Sequence, residues 1–186
     1  MKSWQNTYQN MANSKAVNNF KRAVERTEEV KDGYCQGLQA LKKADRSKVS
    51  CGDTTKLDGS LDIDTNVKAR YPHSDRWDYA ISYSGKICYC EVHPAETSEV
   101  TKMIGKLAWL KQWLKDKAPD IKALPAFSPK YVWVSSGLVN VLPTSREAKR
   151  ISSSGISLTS RLTLKKMIGK IKHTVKRVRK ENPGKK

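Results

Sequence analysis

The sequence lacks the long apolar runs that mark membrane proteins and secretory leaders. No stretch approaches the roughly 18 uninterrupted apolar residues of a membrane-spanning helix, and the first six residues, MKSWQN, contain no apolar signal core. We therefore expect a cytoplasmic protein without a membrane partner, in a compartment where thiols stay reduced.

Cysteine is also scarce, with 4 residues in a chain of 186. Cys88 and Cys90 form a Cys-x-Cys pair within an apolar run, whereas a zinc ribbon uses Cys-x-x-Cys. Cys35 and Cys51 have no ligand-like spacing. We expect Cys88 and Cys90 to be small buried residues on one face of a strand rather than ligands of a structural zinc ion.

Basic residues outnumber acidic residues two to one. The chain has 36 Lys and Arg against 18 Asp and Glu, which gives a formal net charge of +18. Such an excess creates a positive surface potential that attracts polyanions. The charge predicts a nucleic acid as partner, and it leaves a structural role in a ribonucleoprotein particle as an alternative.

Hydrophobic periodicity divides the chain into three parts. Residues 1–15 are polar and predict a flexible N-terminus, 16–160 predict an α/β domain, and 161–186 predict a basic amphipathic helix with a disordered tail. Within the domain the pattern predicts helices over 16–30 and 35–44, strands over 57–64, 77–83 and 87–93, and a long helix from 96. It then predicts strands over 131–135 and 138–142, and over 156–164 either a further strand or a strand that runs into a helix. Pro94 is expected to end the third strand because proline cannot donate to the ladder.

The C-terminal helix combines an apolar stripe with a dense set of basic side chains. We expect it to dock on the body of the domain or to lie on a phosphate backbone. Its candidate nucleic-acid contacts are Lys165, Lys166, Lys170, Lys172, Lys176, Arg177 and Arg179. The long helix from 96 is expected to carry Lys102, Lys106, Lys111 and Lys115 on the face opposite its apolar stripe, and Lys102 and Lys106 are candidate nucleic-acid contacts as well.

Two carboxylates and a histidine converge on neighbouring strands. Asp78 lies early on the second strand, and Glu91 lies on the third, across a tight turn at 84–86. Glu91 and His93 are two residues apart and share a face. An Asp and a Glu on adjacent strands suit a hard divalent cation, which activates water and stabilises charge on phosphate, and His93 is placed for proton transfer. A buried ion pair or an exposed edge strand is the alternative. Asp62 and Asp64 form a second acidic pair, for which a solvated face is favoured.

The segments Trp77-Asp78-Tyr79-Ala80-Ile81 and Cys90-Glu91-Val92-His93 resemble the signature of the PD-(D/E)xK nuclease superfamily. The resemblance implies a restriction-endonuclease-like α/β fold, with a mixed central β-sheet flanked by helices. It implies a nuclease that hydrolyses phosphodiester bonds with Mg²⁺ or Mn²⁺, with DNA favoured over RNA. Asp78 and Glu91 would be the metal ligands.

Further site residues follow from the same resemblance. The first helix of the family often adds a glutamate, here Glu25 or Glu28, and the helix after the motif often adds a basic residue, here Lys102 or Lys106. His93 stands where the family has lysine. Three interpretations stay open: the histidine positions a water, a lysine from the following helix fills the gap, or the domain binds nucleic acid without cutting it. A homodimer, the form in which many nucleases cut two strands, is also left open.

Overall fold

The computed structural model describes residues 18–167, which form a mixed α/β fold with helices flanking a six-stranded sheet. The predicted flexible N-terminus and most of the predicted C-terminal helix, including Lys170, Lys172, Lys176, Arg177 and Arg179, lie outside the described residues. Within the described range, no helix is long and apolar enough to cross a membrane.

The strands of the central sheet are β1 (Tyr34–Cys35), β3 (Leu57–Asp62), β4 (Tyr79–Tyr83), β5 (Lys86–Ala95), β6 (Ala126–Val139) and β7 (Ile156–Thr159). A separate pair consists of β2 (Val49–Ser50) and β8 (Leu162–Thr163). The α-helices are α1 (Asn19–Arg26), α2 (Lys43–Arg46), α3 (Ile63–Val67), α4 (Val100–Asp116), α5 (Pro119–Lys122) and α6 (Arg146–Ser154).

The central sheet has the strand order β1-β3-β4-β5-β6-β7. Neighbours are antiparallel from β1 to β5, and β5, β6 and β7 are parallel. The predicted hairpin between β4 and β5 is present. Ser84 and Gly85 form its turn with φ of 54° and 72°, the left-handed values that a two-residue hairpin needs because they match the twist of the strands. The antiparallel half of the sheet therefore carries the predicted acidic residues, and β5 joins it to the parallel half.

Alternate residues of β5 face two separate cores. Ile87 and Tyr89 pack in the core that contains α1 and α4, while Cys88 and Cys90 pack in the core on the opposite face, which Leu164 and Met167 help to close. Both cysteines are fully buried, as expected of small apolar residues. The apolar stripe predicted for α4 is buried as well, so this helix is fixed against the face that carries Glu91.

Several sequence predictions of local structure are wrong. The strand expected over 57–64 ends at Asp62, and helix α3 begins at Ile63. The segment 35–44 is not one helix: strand β1 ends at Cys35, turns follow, and α2 begins only at Lys43, because the segment offers only two large apolar residues. Pro94 lies inside β5, at an irregularity of the β5–β6 register where its missing N–H is tolerated. The two strands expected over 131–142 are one strand, β6.

Helix α6 was not predicted, because the periodicity did not reveal it. Its sequence is short and mostly polar, and Ile151 is its one buried residue. Its ends nevertheless carry clear signals, because the Ser145 side chain accepts a hydrogen bond from the N–H of Ala148 and Gly155 ends the helix with a φ of 92°.

Candidate active site

Asp78 and Glu91 face each other across the open end of the β4–β5 hairpin. Tyr79 pairs with Cys90 in the ladder, which places Asp78 just before β4 and opposite Glu91. The two carboxylates make reciprocal bonds to the backbone: the Asp78 N–H donates to Glu91 Oε2 at 3.0 Å, and the Val92 N–H donates to Asp78 Oδ2 at 2.9 Å. Side-chain oxygens thus continue the ladder where the main-chain bonds stop, and they fix both carboxylates relative to the sheet.

Lys106 of α4 completes the cluster. Its Nζ donates to Glu91 Oε1 and lies 3.8 Å from Asp78 Oδ1. The side chains of Lys106 and Asp78 are 11% and 18% exposed, and that of Glu91 is fully buried. We refer to Asp78, Glu91 and Lys106 as the carboxylate–lysine cluster. One lysine thus contacts two carboxylates at a site that water reaches on the Asp78 side.

The cluster holds two acidic groups and only one basic group. Burial, and then the neighbouring Asp78, raise the pKa of Glu91 to about 8 although Lys106 opposes the rise. Burial also raises the pKa of Asp78, with Lys106 and the Val92 amide acting in the other direction. Burial acts to lower the pKa of Lys106, but the two carboxylates outweigh it and the pKa is raised. Lys106 therefore stays charged, and a single positive charge does not fully compensate two buried carboxylates.

This imbalance gives a pH-dependent stability. Since the folded state holds the Glu91 proton more tightly than the unfolded chain, the contribution of Glu91 is fully present below about pH 4.5 and is lost as pH rises towards about 8. We expect Glu91→Gln, which cannot ionise, to gain stability relative to the wild type by roughly 3–4 kcal/mol between pH 5 and pH 8. Urea unfolding of both proteins at each pH measures the difference, and a difference independent of pH would contradict the elevated pKa.

His93 lies on the same strand as Glu91 but has a different partner. Its Nε2 lies 2.8 Å from Glu99 Oε2, at the start of the segment that leads into α4. The hydrogen bond with His93 lowers the pKa of Glu99, so the carboxylate is ionised at neutral pH. The cluster and the His93–Glu99 pair are thus neighbours along β5, and Lys106 rather than His93 touches Glu91.

Asp64 lies next to Asp78, at the edge of the carboxylate–lysine cluster. Its N–H donates to the Asp78 carbonyl at 3.3 Å, and its carboxylate binds Arg76 Nε at 2.7 Å. Asp62, its partner in the predicted acidic pair, instead caps α3 by accepting from the Thr65 N–H at 2.8 Å. Of this second pair, Asp64 is the residue that adjoins the cluster.

The remaining candidates lie apart from the two carboxylates. Glu25 is exposed and pairs with Lys21 at 3.6 Å, and Glu28 pairs with Lys31 at 3.0 Å. Lys102 is exposed on the first turns of α4, where its charge helps to lower the pKa of Glu99. It does not contact Asp78 or Glu91 through any ion pair of the described residues.

The described part of the C-terminal segment lies on the other side of the sheet. Lys165 and Lys166 are exposed, and the apolar residues around them, Leu164 and Met167, pack in the core opposite α4. A continuous basic surface that joins them to Lys102 stays a prediction, since the rest of the predicted helix lies outside the described residues.

The sequence analysis named Lys106 as a candidate site residue but placed it on the exposed face of α4. That placement is wrong, because Lys106 is 9% exposed. A signal was present in the sequence: position 106 is three residues after Met103 and four before Leu110, both buried, so it falls on the apolar face of the helix. A lysine on such a face needs a buried carboxylate as partner, which the sequence alone does not identify.

No family model, curated protein or solved structure matches this chain. Within residues 18–167, His, Cys, Asp and Glu form no group of three or more that could hold a metal ion. The chemistry of the site must therefore follow from its own contacts: two fixed carboxylates, one buried ammonium group and an adjacent histidine–glutamate pair.

Proposed function

We propose that this chain is a metal-dependent nuclease of the PD-(D/E)xK type that hydrolyses phosphodiester bonds, with DNA as the favoured substrate. The observation that carries the proposal is the contact of Asp78 and Glu91 with one buried lysine across the β4–β5 hairpin. Lys106 takes the part of the family's motif lysine, from a helix instead of from the strand. The antiparallel hairpin, the long helix α4 and the parallel strand β6 agree with a restriction-endonuclease-like arrangement of the sheet.

The donor set suits Mg²⁺ or Mn²⁺. Asp78 Oδ1 and Glu91 Oε1 both face Lys106, while their other oxygens accept backbone N–H groups. Burial raises the pKa values of both Asp78 and Glu91, and Lys106 offsets only part of the rise. A bound cation would therefore stabilise the ionised carboxylates. Mg²⁺ is typically held by one or two carboxylates and completes its shell with water and substrate phosphate. Asp78 and Glu91 would hold the ion, which supplies Lewis-acid stabilisation of the phosphate and a more acidic water.

The protein side chains have separable roles in this proposal. Asp78 and Glu91 bind the cation, and their backbone hydrogen bonds orient them before it arrives. Lys106 holds a positive charge beside the position of the phosphate oxygens, where charge builds during hydrolysis. His93, held by Glu99, is placed to take or give a proton.

Binding of the polyanion relies on the net charge of +18. Lys102 is the exposed cation on α4 one turn before Lys106. Lys165 and Lys166, with the basic residues that follow in the sequence, are proposed as further phosphate contacts, and all such contacts weaken as salt rises.

A second candidate is a protein that binds nucleic acid without cutting it. Lys106 already compensates part of the charge of Asp78 and Glu91, and the described residues offer no third metal-binding group to the cluster. In that case the cluster would be a structural ion pair, and the same basic surface would serve binding alone.

Cleavage with and without metal separates the two candidates. We expect the wild-type protein to nick plasmid or single-stranded DNA with Mg²⁺ or Mn²⁺ and to leave both intact in EDTA. Asp78→Asn should lose at least about a hundredfold in rate, because even indirect partners of a metal cost 10–100-fold when removed. Asp32→Asn, which removes one exposed carboxylate, is the matched control. Tight binding without cleavage under every metal condition would select the second candidate.

A further inference from the structure

An aromatic recess lies along α4, on the turns that follow Lys106. Tyr71, Trp109 and Trp113 line it, and its volume is about 130 Å³. The rings of Trp109 and Trp113 are stacked with centroids 6.0 Å apart, and the Tyr71 ring meets Trp109 edge-on at 5.7 Å. Trp113 is buried, whereas Tyr71 and Trp109 are partly exposed. Apolar ring surface is thus available to a ligand at this point.

Helix α4 connects the recess to the cluster. Trp109 follows Lys106 by three residues, which is about 4.5 Å along the helix axis, and Trp113 follows by seven, which returns to nearly the same side of the helix. The two rings therefore follow Lys106 at about 4.5 and about 10.5 Å along the axis, a span of roughly one to two nucleotides of a strand whose phosphate lies at Lys106.

A second set of contacts connects them through the loop before β4. Asp64 bonds to the Asp78 carbonyl through its N–H and to Arg76 through its carboxylate. Arg76 Nη1 in turn donates to the Tyr71 carbonyl. The side chain of Arg76 is 10% exposed, so this link is rigid and places Tyr71 at a fixed distance from Asp78.

Hydrogen bonds to Glu29 also hold the rings of Tyr71 and Trp113 in place. Glu29 accepts from the Tyr71 hydroxyl at 2.9 and 3.0 Å and from Trp113 Nε1 at 2.8 Å. Burial and Glu29 raise the pKa of Tyr71, so the hydroxyl stays a donor. Rings that are ordered before binding lose little entropy when a ligand stacks on them.

We propose that this recess takes an unpaired base of a single-stranded nucleic acid whose phosphate lies at the carboxylate–lysine cluster. The proposal rests on the nuclease function and names its substrate class: single strands, or duplexes with an unpaired base at the site. Stacking on aromatic rings is how proteins hold single strands, since every base offers a flat π face.

The charges around the recess favour a base over a cationic ligand. Lys117 is one of its lining residues, and Arg70 lies 3.8 Å from Glu29 Oε1. Both would repel a quaternary ammonium group and attract phosphate. The acidic lining residue, Asp116, already accepts from Gln112 at 2.6 Å. The recess therefore combines apolar ring surface with Lys117 at its margin, where a phosphate of the same strand can be held.

Binding in EDTA tests the proposal without any need for cleavage. The probe is a short single-stranded DNA that contains 2-aminopurine, whose fluorescence falls on stacking, and affinity is measured in parallel on a duplex of the same sequence. We expect the wild type to quench the probe. Trp109→Leu should bind the single strand about tenfold more weakly, with little quenching, because one base stack is worth roughly 1–3 kcal/mol. Duplex affinity should stay the same, and Trp109→Phe should recover part of the single-strand affinity.

Several outcomes would overturn the proposal. One is a wild type that binds the single strand without quenching the probe, and another is an equal loss of single-strand and duplex affinity in Trp109→Leu with unchanged thermal unfolding. Wild-type binding of a trimethyllysine peptide that is lost in Trp109→Leu would assign the recess to a cation instead. The assay contains EDTA, so a protein that binds nucleic acid without cutting it would give the same quenching and affinities. Failure of the nuclease proposal can therefore be distinguished from failure of the base-stacking proposal.

Discussion

Glu91→Gln is expected to abolish cleavage while nucleic-acid binding is preserved or strengthened. The substitution keeps the side-chain shape and the acceptor for the Asp78 N–H, but it removes a charge that the metal requires. Loss of a direct ligand should cost more than the 10–100-fold typical of indirect partners. Binding does not need the metal, and one negative charge facing phosphate disappears, so affinity should stay the same or rise.

Two measurements check this result. Plasmid nicking with Mg²⁺ gives the rate, and fluorescence anisotropy with labelled DNA in EDTA gives the affinity. Cleavage by Glu91→Gln at the wild-type rate would mean that the carboxylate–lysine cluster is not the active site. A loss of binding equal to the loss of cleavage would instead make Glu91 part of the binding surface.

Lys106→Met is expected to destabilise the fold and also to reduce cleavage. Methionine preserves the apolar stem of the side chain, but two neighbouring buried carboxylates then lose their cation. Removing one partner of a buried ion pair costs about 3–5 kcal/mol because the other charge remains uncompensated. The loss should be largest at pH 8, where Glu91 is most ionised.

A double variant distinguishes the charge effect from simple packing. Glu91→Gln combined with Lys106→Met should be more stable than Lys106→Met alone, since the uncompensated carboxylate is gone. Lys115→Met is the control, because Lys115 is an exposed lysine near the end of the same helix. Urea unfolding at pH 8 gives the free energies of unfolding of the wild type, the two single variants, the double variant and the control. Strict additivity of the two substitutions would show that the contact contributes nothing.

The sequence predicted the hairpin that carries the two acids because local signals specify it. Alternation fixes β4 and β5, and Ser84 and Gly85 supply the left-handed turn, so the pairing of Asp78 with Glu91 follows from short-range information. The α/β class and the buried stripe of α4 follow in the same way from periodicity. The long strand β6 was split in two because Gly137, which favours neither strand nor helix, interrupts its pattern.

The partner of Glu91 could not be predicted with the same ease. His93 was favoured because it lies two residues from Glu91 on one strand, yet its ring turns to Glu99. Lys106 is distant in sequence and reaches Glu91 through the docking of α4 on the sheet, which is a tertiary event. Glu25 was predicted as a site residue from the resemblance alone, and it lies on the exposed side of α1.

The reciprocal bonds between carboxylates and backbone amides have a consequence for the dynamics of the hairpin. The N–H groups of Asp78 and Val92 are held by side chains rather than by the ladder, so their exchange with solvent deuterium reports the integrity of the site directly. Local opening at this end of β4 and β5 would release both carboxylates at once. The strand ends and the acidic residues therefore open and close as one unit, and a change in either alters the motion of the other.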